Sequence, residues 1–370
     1  MILKQAFEVL SPMLKMRYEN VLRRSLCVSG GLLNDLHSLY LEYAVRDVYM
    51  PRPILTFFGY HYDKDDVSFE CVDEIGDIIL IAQLVRDIAA IHDDIIDEDV
   101  LKFGKPPLSV LLSAPVFDER AYQEKRLTKR GKDLAILYGD YLYGVLGQLI
   151  LSASRLHGSA IVESLGELVA DVFRVTNQGQ IYELLMDGRL IEHIVAFEIL
   201  ELYRAKAAHY CYAFPFEIGL ITAGASSAIR IKSKLLLLDI GVASQIVDDI
   251  AGAFPDLLDQ GKDTKGELQQ LRRTILTVLF AKTEEGKAFL LTIADRFSLS
   301  DQEIRMLKET MIKSACIEEA ISQAQDVLGN YEERIKQIGL GMSAQRYLMD
   351  LIQVRIRDNL GQIERNIQLL

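Results

Sequence analysis

Five acidic side chains fall within the seven residues Asp93-Asp94-Ile95-Ile96-Asp97-Glu98-Asp99. At about 100° per residue on a helix, Asp93 and Asp97 share a face and Asp94 lies beside it. Carboxylates this close repel one another unless cations or protons neutralise them. Mg2+ prefers such hard oxygen ligands and binds through one or two carboxylates together with substrate phosphate. The competing reading is plainer: a helix C-terminus that breaks into a solvated acidic loop.

A second pair weighs against the plainer reading. Asp248-Asp249 closes an apolar helix running from Leu235 through Val242, just as Asp93 ends the apolar stretch from Ile78 to Ile91. Two such pairs, far apart in the chain, are expected to face each other across a cavity. That arrangement would hold several Mg2+ ions and a diphosphate between them.

Asp93-Asp94-Ile95-Ile96-Asp97 resembles the first aspartate-rich motif of the trans-isoprenyl diphosphate synthases (polyprenyl synthetases), and Gln245-Ile246-Val247-Asp248-Asp249 resembles the second. Gly139-Asp140-Tyr141-Leu142 is similar to the family's Gly-Asp-Tyr-Leu helix, and Lys206 stands where the family has a Lys-Thr pair. Gly261-Lys262, followed by Arg272-Arg273-Thr274, resembles the basic segment after the second motif. The matches keep chain order across residues 35 to 280.

The resemblance implies an all-α fold, a single domain over residues 1–370 built as a bundle of long helices around a central cavity. It implies Mg2+ (three ions with substrate bound) held by Asp93, Asp94, Asp97, Asp248 and Asp249, which with Lys206 form the catalytic set. Diphosphate contacts are carried over to Arg52, Arg86, Lys102, Lys206, Gln245 and Lys262. The implied reaction pulls diphosphate from an allylic prenyl diphosphate and joins the cation to isopentenyl diphosphate or another acceptor. Clamping the leaving group's developing charge with metal and Lys/Arg is electrostatic catalysis. Ile88 and Ala89 occupy the positions that floor the family's product pocket; neither is aromatic, which implies a product of twenty carbons or more. A homodimer is also implied.

The elements that must position these groups read as helices. Only eight prolines and almost no alternating β-type runs occur in 370 residues that are 50% hydrophobic. Helices are expected over residues 1–30, Leu32–Tyr49, Val72–Ile96, Asp133–Leu156, Ser159–Asn177 and Gln180–Leu202, with Lys206 opening another toward Gly224. Further amphipathic helices are expected over Gly286–Phe297, Asp301–Lys313, Ala315–Gln337 and Ala344–Gln368. Asp63-Lys64-Asp65-Asp66 reads as a solvated loop, and the charged stretch 115–133 as a linker or solvated face. A net charge of −12 argues against nucleic acid. Cys27, Cys71, Cys211 and Cys316 lack metal-site spacing. The most apolar run, Leu137–Leu151, contains Asp140 and Gln148, so no membrane span is expected and the protein reads as cytoplasmic.

The departures from the family pattern are uneven. The ionising half is nearly complete, with Lys102 in place of the first Arg of the family's Arg-Arg-Gly-x-Pro-Thr. The acceptor half is eroded: of Gly-Lys-Arg-x-Arg-Pro only Arg52-Pro53 remains, Tyr49 stands for the Lys, Phe103 for the second Arg, and Arg86 for a His. Arg86, inside an apolar stretch, must be paired or face a polar cavity, and a cavity facing an anion is favoured. Losing two charge-assisted contacts weakens diphosphate binding by roughly 2–5 kcal/mol. The second motif has Gly252 where the family commonly has its third Asp. Three readings follow: an elongating prenyltransferase; a cyclase or transferase to another acceptor on the same scaffold; or a non-catalytic subunit of a heteromeric synthase. A helical di-iron protein would need Glu-x-x-His pairs, and no His here has Glu three residues before it.

Overall fold

The computed structural model describes residues 1–26, 31–47, 49–102, 104–113, 127–258, 268, 271–293 and 299–368. Among them no strand forms. One isolated bridge joins Lys102 to Lys105, and the rest is helix or turn. The all-α expectation holds. The main helices in chain order are α1 Ile2–Ser25, α2 Leu32–Ala44, α3 Pro51–Tyr60, α4 Ile81–Ile96, α5 Lys129–Ser152 and α6 Ser159–Asp187. They continue as α7 Ala196–Tyr203, α8 Phe214–Thr222, α9 Ser227–Ala253, α10 Ile275–Lys282, α11 Glu284–Thr292 and α12 Asp301–Lys313. The last are α13 Cys316–Leu328, α14 Tyr331–Ile338, α15 Met342–Ile352 and α16 Asp358–Ile367.

The chain divides into two compact units, residues 1–169 with 214–226 and 341–344, and residues 170–213 with 227–340 and 345–370. In the first unit α4 is the core helix. Ile81, Leu84, Val85, Ile88 and Ile91 are buried on one side at spacings of three and four, as an apolar stripe on a 3.6-residue period demands. The expected helix from Val72 is broken at Gly76. Its φ of 67° and ψ of −154° lie in a region open to glycine, and Phe69–Leu80 winds as tighter 3-10 turns before α4 begins. α3 and α8 meet backbone to backbone: a Cβ on Gly219 would fall 2.2 Å from the Thr56 carbonyl oxygen. Thr56 Oγ1 donates to the Pro215 carbonyl at 2.8 Å across the same crossing. The Asp63–Asp66 loop is exposed, yet its backbone receives the chain at Gly341, whose N–H donates to the Tyr62 carbonyl at 2.7 Å.

By length and composition Lys129–His157 is apolar enough to cross a membrane, with a mean hydropathy of 1.4 in its best stretch, 39% of which is buried. The buried side of α5 carries Tyr138, Leu142, Val145, Leu146 and Leu149, and this helix packs against α4. Its exposed side mixes Leu137, Tyr141 and Leu151 with Asp133, Asp140 and Gln148.

In the second unit α9 is the core helix, burying Leu236, Leu237, Ile240, Ala243, Ile246, Val247 and Ile250. Against it lies Arg204–Ala213, a wide π-helical stretch. The approach is closest at Gly241, where a Cβ would stand 2.4 Å from the Ala208 Cβ. Lys206 therefore lies inside a π-helical stretch that begins at Arg204 rather than opening a helix, and α-helical geometry resumes at Phe214 without a break, with Pro215 directly after the wide turns. The expected helix Gln180–Leu202 stops at Asp187 and restarts at Ala196. The expected Ala315–Gln337 is split at Gly329, whose φ is 52°. The 115–126 part of the charged stretch lies outside the described residues.

Candidate active site

The first carboxylate cluster sits on the last turn of α4. Helical geometry persists through the Asp97 N–H, which donates to the Asp93 carbonyl at 2.8 Å, so Asp93 and Asp97 share a face as the spacing predicts. The helix then ends because Glu98 adopts a left-handed φ of 55°. Asp94 is only 1% exposed. Lys102 reaches back over this turn, with Nζ 2.5 Å from Asp94 Oδ1, 3.2 Å from Asp93 Oδ2 and 3.9 Å from Asp99. Burial pushes the Asp94 carboxyl up and Lys102 pulls it down, with burial the larger. Burial disfavours the Lys102 charge, but Asp93 and Asp94 outweigh it and hold the ammonium firmly protonated.

His92 is seated by the Gly-Asp-Tyr-Leu segment of α5. A Cβ on Gly139 would lie 2.8 Å from the His92 ring, and Nε2 stands 3.9 Å from Asp140. That packing accounts for the glycine in the motif.

About two turns before Asp94, Asp87 is fully buried and accepts four hydrogen bonds: from Tyr18 at 2.8 Å, Tyr40 at 3.1 Å, Gln83 at 3.1 Å and Arg86 at 3.1 Å. Arg86 also donates to Asp47 at 3.2 Å. Arg86 is thus engaged by two carboxylates, as an internal ion pair rather than the favoured cation facing an anion. Arg86-Asp87 side by side in an apolar helix was the available signal for this network. Ile88 is fully buried and Ala89 half-buried on the same helix.

On the acceptor side, Arg52 opens α3 behind Pro51. Tyr49 is 61% exposed and meets Phe7 edge-on at 5.3 Å. Val48 and Phe103 lie outside the described residues, as does Lys262.

The second carboxylate pair lies in α9. Asp249 is 6% exposed; it accepts from the Tyr203 hydroxyl and, at 2.9 Å, from Gln245 Nε2. Tyr203 in turn accepts the Ile275 N–H at 2.8 Å, so one phenol ties the second motif to the start of α10, just after Arg272-Arg273-Thr274. Asp248 is met by Arg355 Nη2 at 3.2 and 3.4 Å. Burial works against the Arg355 charge and Asp248 more than restores it. Gly252 is buried, so this face of α9 carries no third carboxylate, and Asp256 beyond the helix end is exposed. Lys206 Nζ stands 2.5 Å from Glu183 Oε2, and Gly179, one turn before Glu183, lets α6 approach: a Cβ there would lie 2.7 Å from the Lys206 nitrogen. Tyr203, Glu183 and Arg355 escaped sequence reading. Nothing in the amphipathic pattern around Arg355 sets it apart from surface arginines.

Among the described residues no three carboxylate, imidazole or thiolate groups are drawn around one point. The donor set nonetheless fits Mg2+. It consists of hard carboxylate oxygens, and the buried Asp94 Oδ2 takes no hydrogen bond from the protein.

Residues 41–311 match the family model for polyprenyl synthetase. The chain belongs to that family, and it is a chain-elongating prenyltransferase. It is 26% identical over 261 residues to the geranylgeranyl diphosphate synthase of Sulfolobus acidocaldarius, covering 69% of this chain and 72% of the relative. It is 25% identical over 256 residues to the short chain isoprenyl diphosphate synthase of Methanocaldococcus jannaschii, covering 69% of each. The fold matches the geranylgeranyl pyrophosphate synthase of Corynebacterium glutamicum, solved with isoprenyl diphosphate and magnesium. That match has a TM-score of 0.78 and 18% identity, and covers 94% of this chain and 98% of the other.

Proposed function

We propose that this enzyme condenses an allylic prenyl diphosphate with isopentenyl diphosphate to give a longer trans-prenyl diphosphate of twenty carbons or more. The observation that carries the reading is the turn of α4 on which Asp93, Asp94 and Asp97 stand together with Lys102 against them. Asp93, Asp94 and Asp97 on α4 serve the leaving diphosphate, and Asp248 and Asp249 on α9 are a second carboxylate pair suited to the same chemistry. Mg2+, three ions with substrate bound, would supply charge neutralisation on that diphosphate. Lys102, Lys206, Gln245 and Lys262 add donors to its oxygens, and Arg52 holds the acceptor. The product length is supported by the names of the archaeal relatives and by the lack of an aromatic side chain at Ile88 and Ala89.

Residues 1–370 act as one functional domain, since the family match at 41–311 runs through both compact units. A homodimer is supported by the exposed Leu137, Tyr141 and Leu151 along α5, large apolar side chains on a row that also carries Asp133 and Asp140. The charged residues on that row speak for a core or interface helix rather than a membrane span. Among the described residues Cys71, Cys211 and Cys316 form no disulfide, in keeping with a reducing cytoplasm.

The test is incubation of the purified protein and Mg2+ with geranyl, farnesyl or geranylgeranyl diphosphate, each with and without isopentenyl diphosphate, read by mass spectrometry. Longer prenyl diphosphates that require isopentenyl diphosphate are the expected result. Hydrocarbon or alcohol formed without it would overturn the reading in favour of a cyclase. No product under any condition would point to a subunit that needs a partner.

A further inference from the structure

Among the described residues, two cations near the first carboxylate cluster have no carboxylate to face. Arg46 Nη1 donates to the Pro106 carbonyl at 2.6 Å, and Lys105 Nζ donates to the Arg46 carbonyl at 3.0 Å. The two contacts are reciprocal and stitch the segment after α2 to the turn that follows the first motif. That turn is closed by the Lys102–Lys105 backbone bridge, which places Lys105 on the outside while Lys102 folds inward to Asp94. The Arg46 guanidinium lies 4.3 Å from the centre of the Tyr43 ring, which fixes its plane. Its Nε is buried and makes no hydrogen bond.

Charge distinguishes this pair from its neighbours. Arg86 is spent on Asp87 and Asp47, and Lys102 on Asp93 and Asp94. The hydrogen bonds of Arg46 and Lys105 go to backbone carbonyls and Arg46 also lies on the Tyr43 ring, so among the described residues neither charge meets a carboxylate. A guanidinium has five N–H donors and an ammonium three, so most of their donors remain. Two cations with spare donors on segments joined by these contacts, one of them in a fixed plane, suit a diphosphate.

We propose that Arg46 and Lys105 hold the diphosphate of isopentenyl diphosphate, taking the place of the cations this chain lacks at Tyr49 and Phe103. The inference rests on the elongation reading above. It assigns acceptor binding to side chains outside the eroded motif and removes Arg86 from that task.

The experiment is calorimetric titration of isopentenyl diphosphate, and separately of inorganic diphosphate, into the Mg2+-free protein and its R46Q, K105Q and K105R variants. Steady-state kinetics with Mg2+ accompany it. R46Q and K105Q are expected to weaken binding of isopentenyl diphosphate at least tenfold and to raise its KM by a similar factor. The KM for the allylic diphosphate should stay within twofold, and K105R should recover most of the loss. If R46Q disturbs the fold, seen as a lowered melting temperature, K105Q decides alone, because its side chain contributes a single surface contact. Unchanged affinity in K105Q, or a loss confined to inorganic diphosphate, overturns the inference while elongation by the parent protein keeps the function intact. A parent protein that neither binds isopentenyl diphosphate nor elongates overturns both.

Discussion

Lys102 Nζ lies 2.5 Å from Asp94 Oδ1, and Asp94 is 1% exposed: a buried carboxylate is compensated by a lysine eight residues further along the chain. The turn between them, with Glu98 left-handed, is what brings the ammonium back over the end of α4. Removing one member of a buried ion pair leaves the other charge stranded. K102M is therefore expected to cost roughly 3 kcal/mol of stability in chelator-treated protein. Added Mg2+ should narrow the gap, because a divalent ion compensates the same carboxylates. Denaturant titrations with EDTA and with Mg2+ check this; a variant as stable as the parent in EDTA would show that the pair contributes nothing.

Tyr203 is the corresponding control point of the second motif. Its hydroxyl bonds both the Asp249 carboxylate and the Ile275 N–H, so the Asp249 rotamer and the start of α10 are fixed by one group. Y203F leaves a buried N–H unsatisfied at a cost of about 1–3 kcal/mol. It should also raise the Mg2+ concentration needed for half-maximal rate several-fold, since Asp249 then loses the hydroxyl that fixes it alongside Gln245. A purely structural tyrosine would change the melting temperature and leave the Mg2+ dependence where it was.

His209 makes the π-helical stretch acid-sensitive. It is 3% exposed. Burial lowers its pKa to about 4, helped by Lys234 and Arg174 and opposed by Asp171. The folded value lies below the unfolded one, so the neutral ring belongs to the fold. Its contribution is complete above an unfolded pKa of about 6.5 and is lost as pH falls from there toward 4, by roughly 3 kcal/mol in all. H209Q should flatten the stability profile between these limits, measured by urea denaturation at each pH. A variant with the parent's slope would assign the acid loss to other groups.

What was legible in the sequence follows the range of the physics involved. The helix through Ile91 to Ile96 and the shared face of Asp93 and Asp97 depend on residues three and four apart, so periodicity found them. The break at Gly76 did not show, because the residues on either side are apolar enough to continue a helix and only the backbone angles of that glycine end it. The expectation that Arg86 faces an anion misses its ion pair, because one partner, Asp47, is thirty-nine residues away, although the other is the adjacent Asp87. The expectation that Lys206 opens a helix misses the wide stretch already begun at Arg204, which packs closely against Gly179 and Gly241 of two other helices. Tyr203 and Arg355 carry no local signal at all; each matters only through a contact 46 or 107 residues distant.

Ala89 offers the clearest test of product length. It is half-buried on α4, four residues before Asp93 and next to the fully buried Ile88. One helical turn separates it from Asp93, about 6 Å along the axis, so a side chain there meets a prenyl tail growing away from the carboxylates. A phenyl ring adds bulk that a half-buried position can accept without the overpacking cost of a closed core, which runs about 1–3 kcal/mol. A89F is expected to shorten the main product by at least one five-carbon unit while the initial rate with the shortest allylic diphosphate falls less than tenfold. Mass spectrometry of the products gives the answer directly. The same product distribution from A89F and the parent would mean that α4 does not wall the growing chain, and the length would have to be set elsewhere.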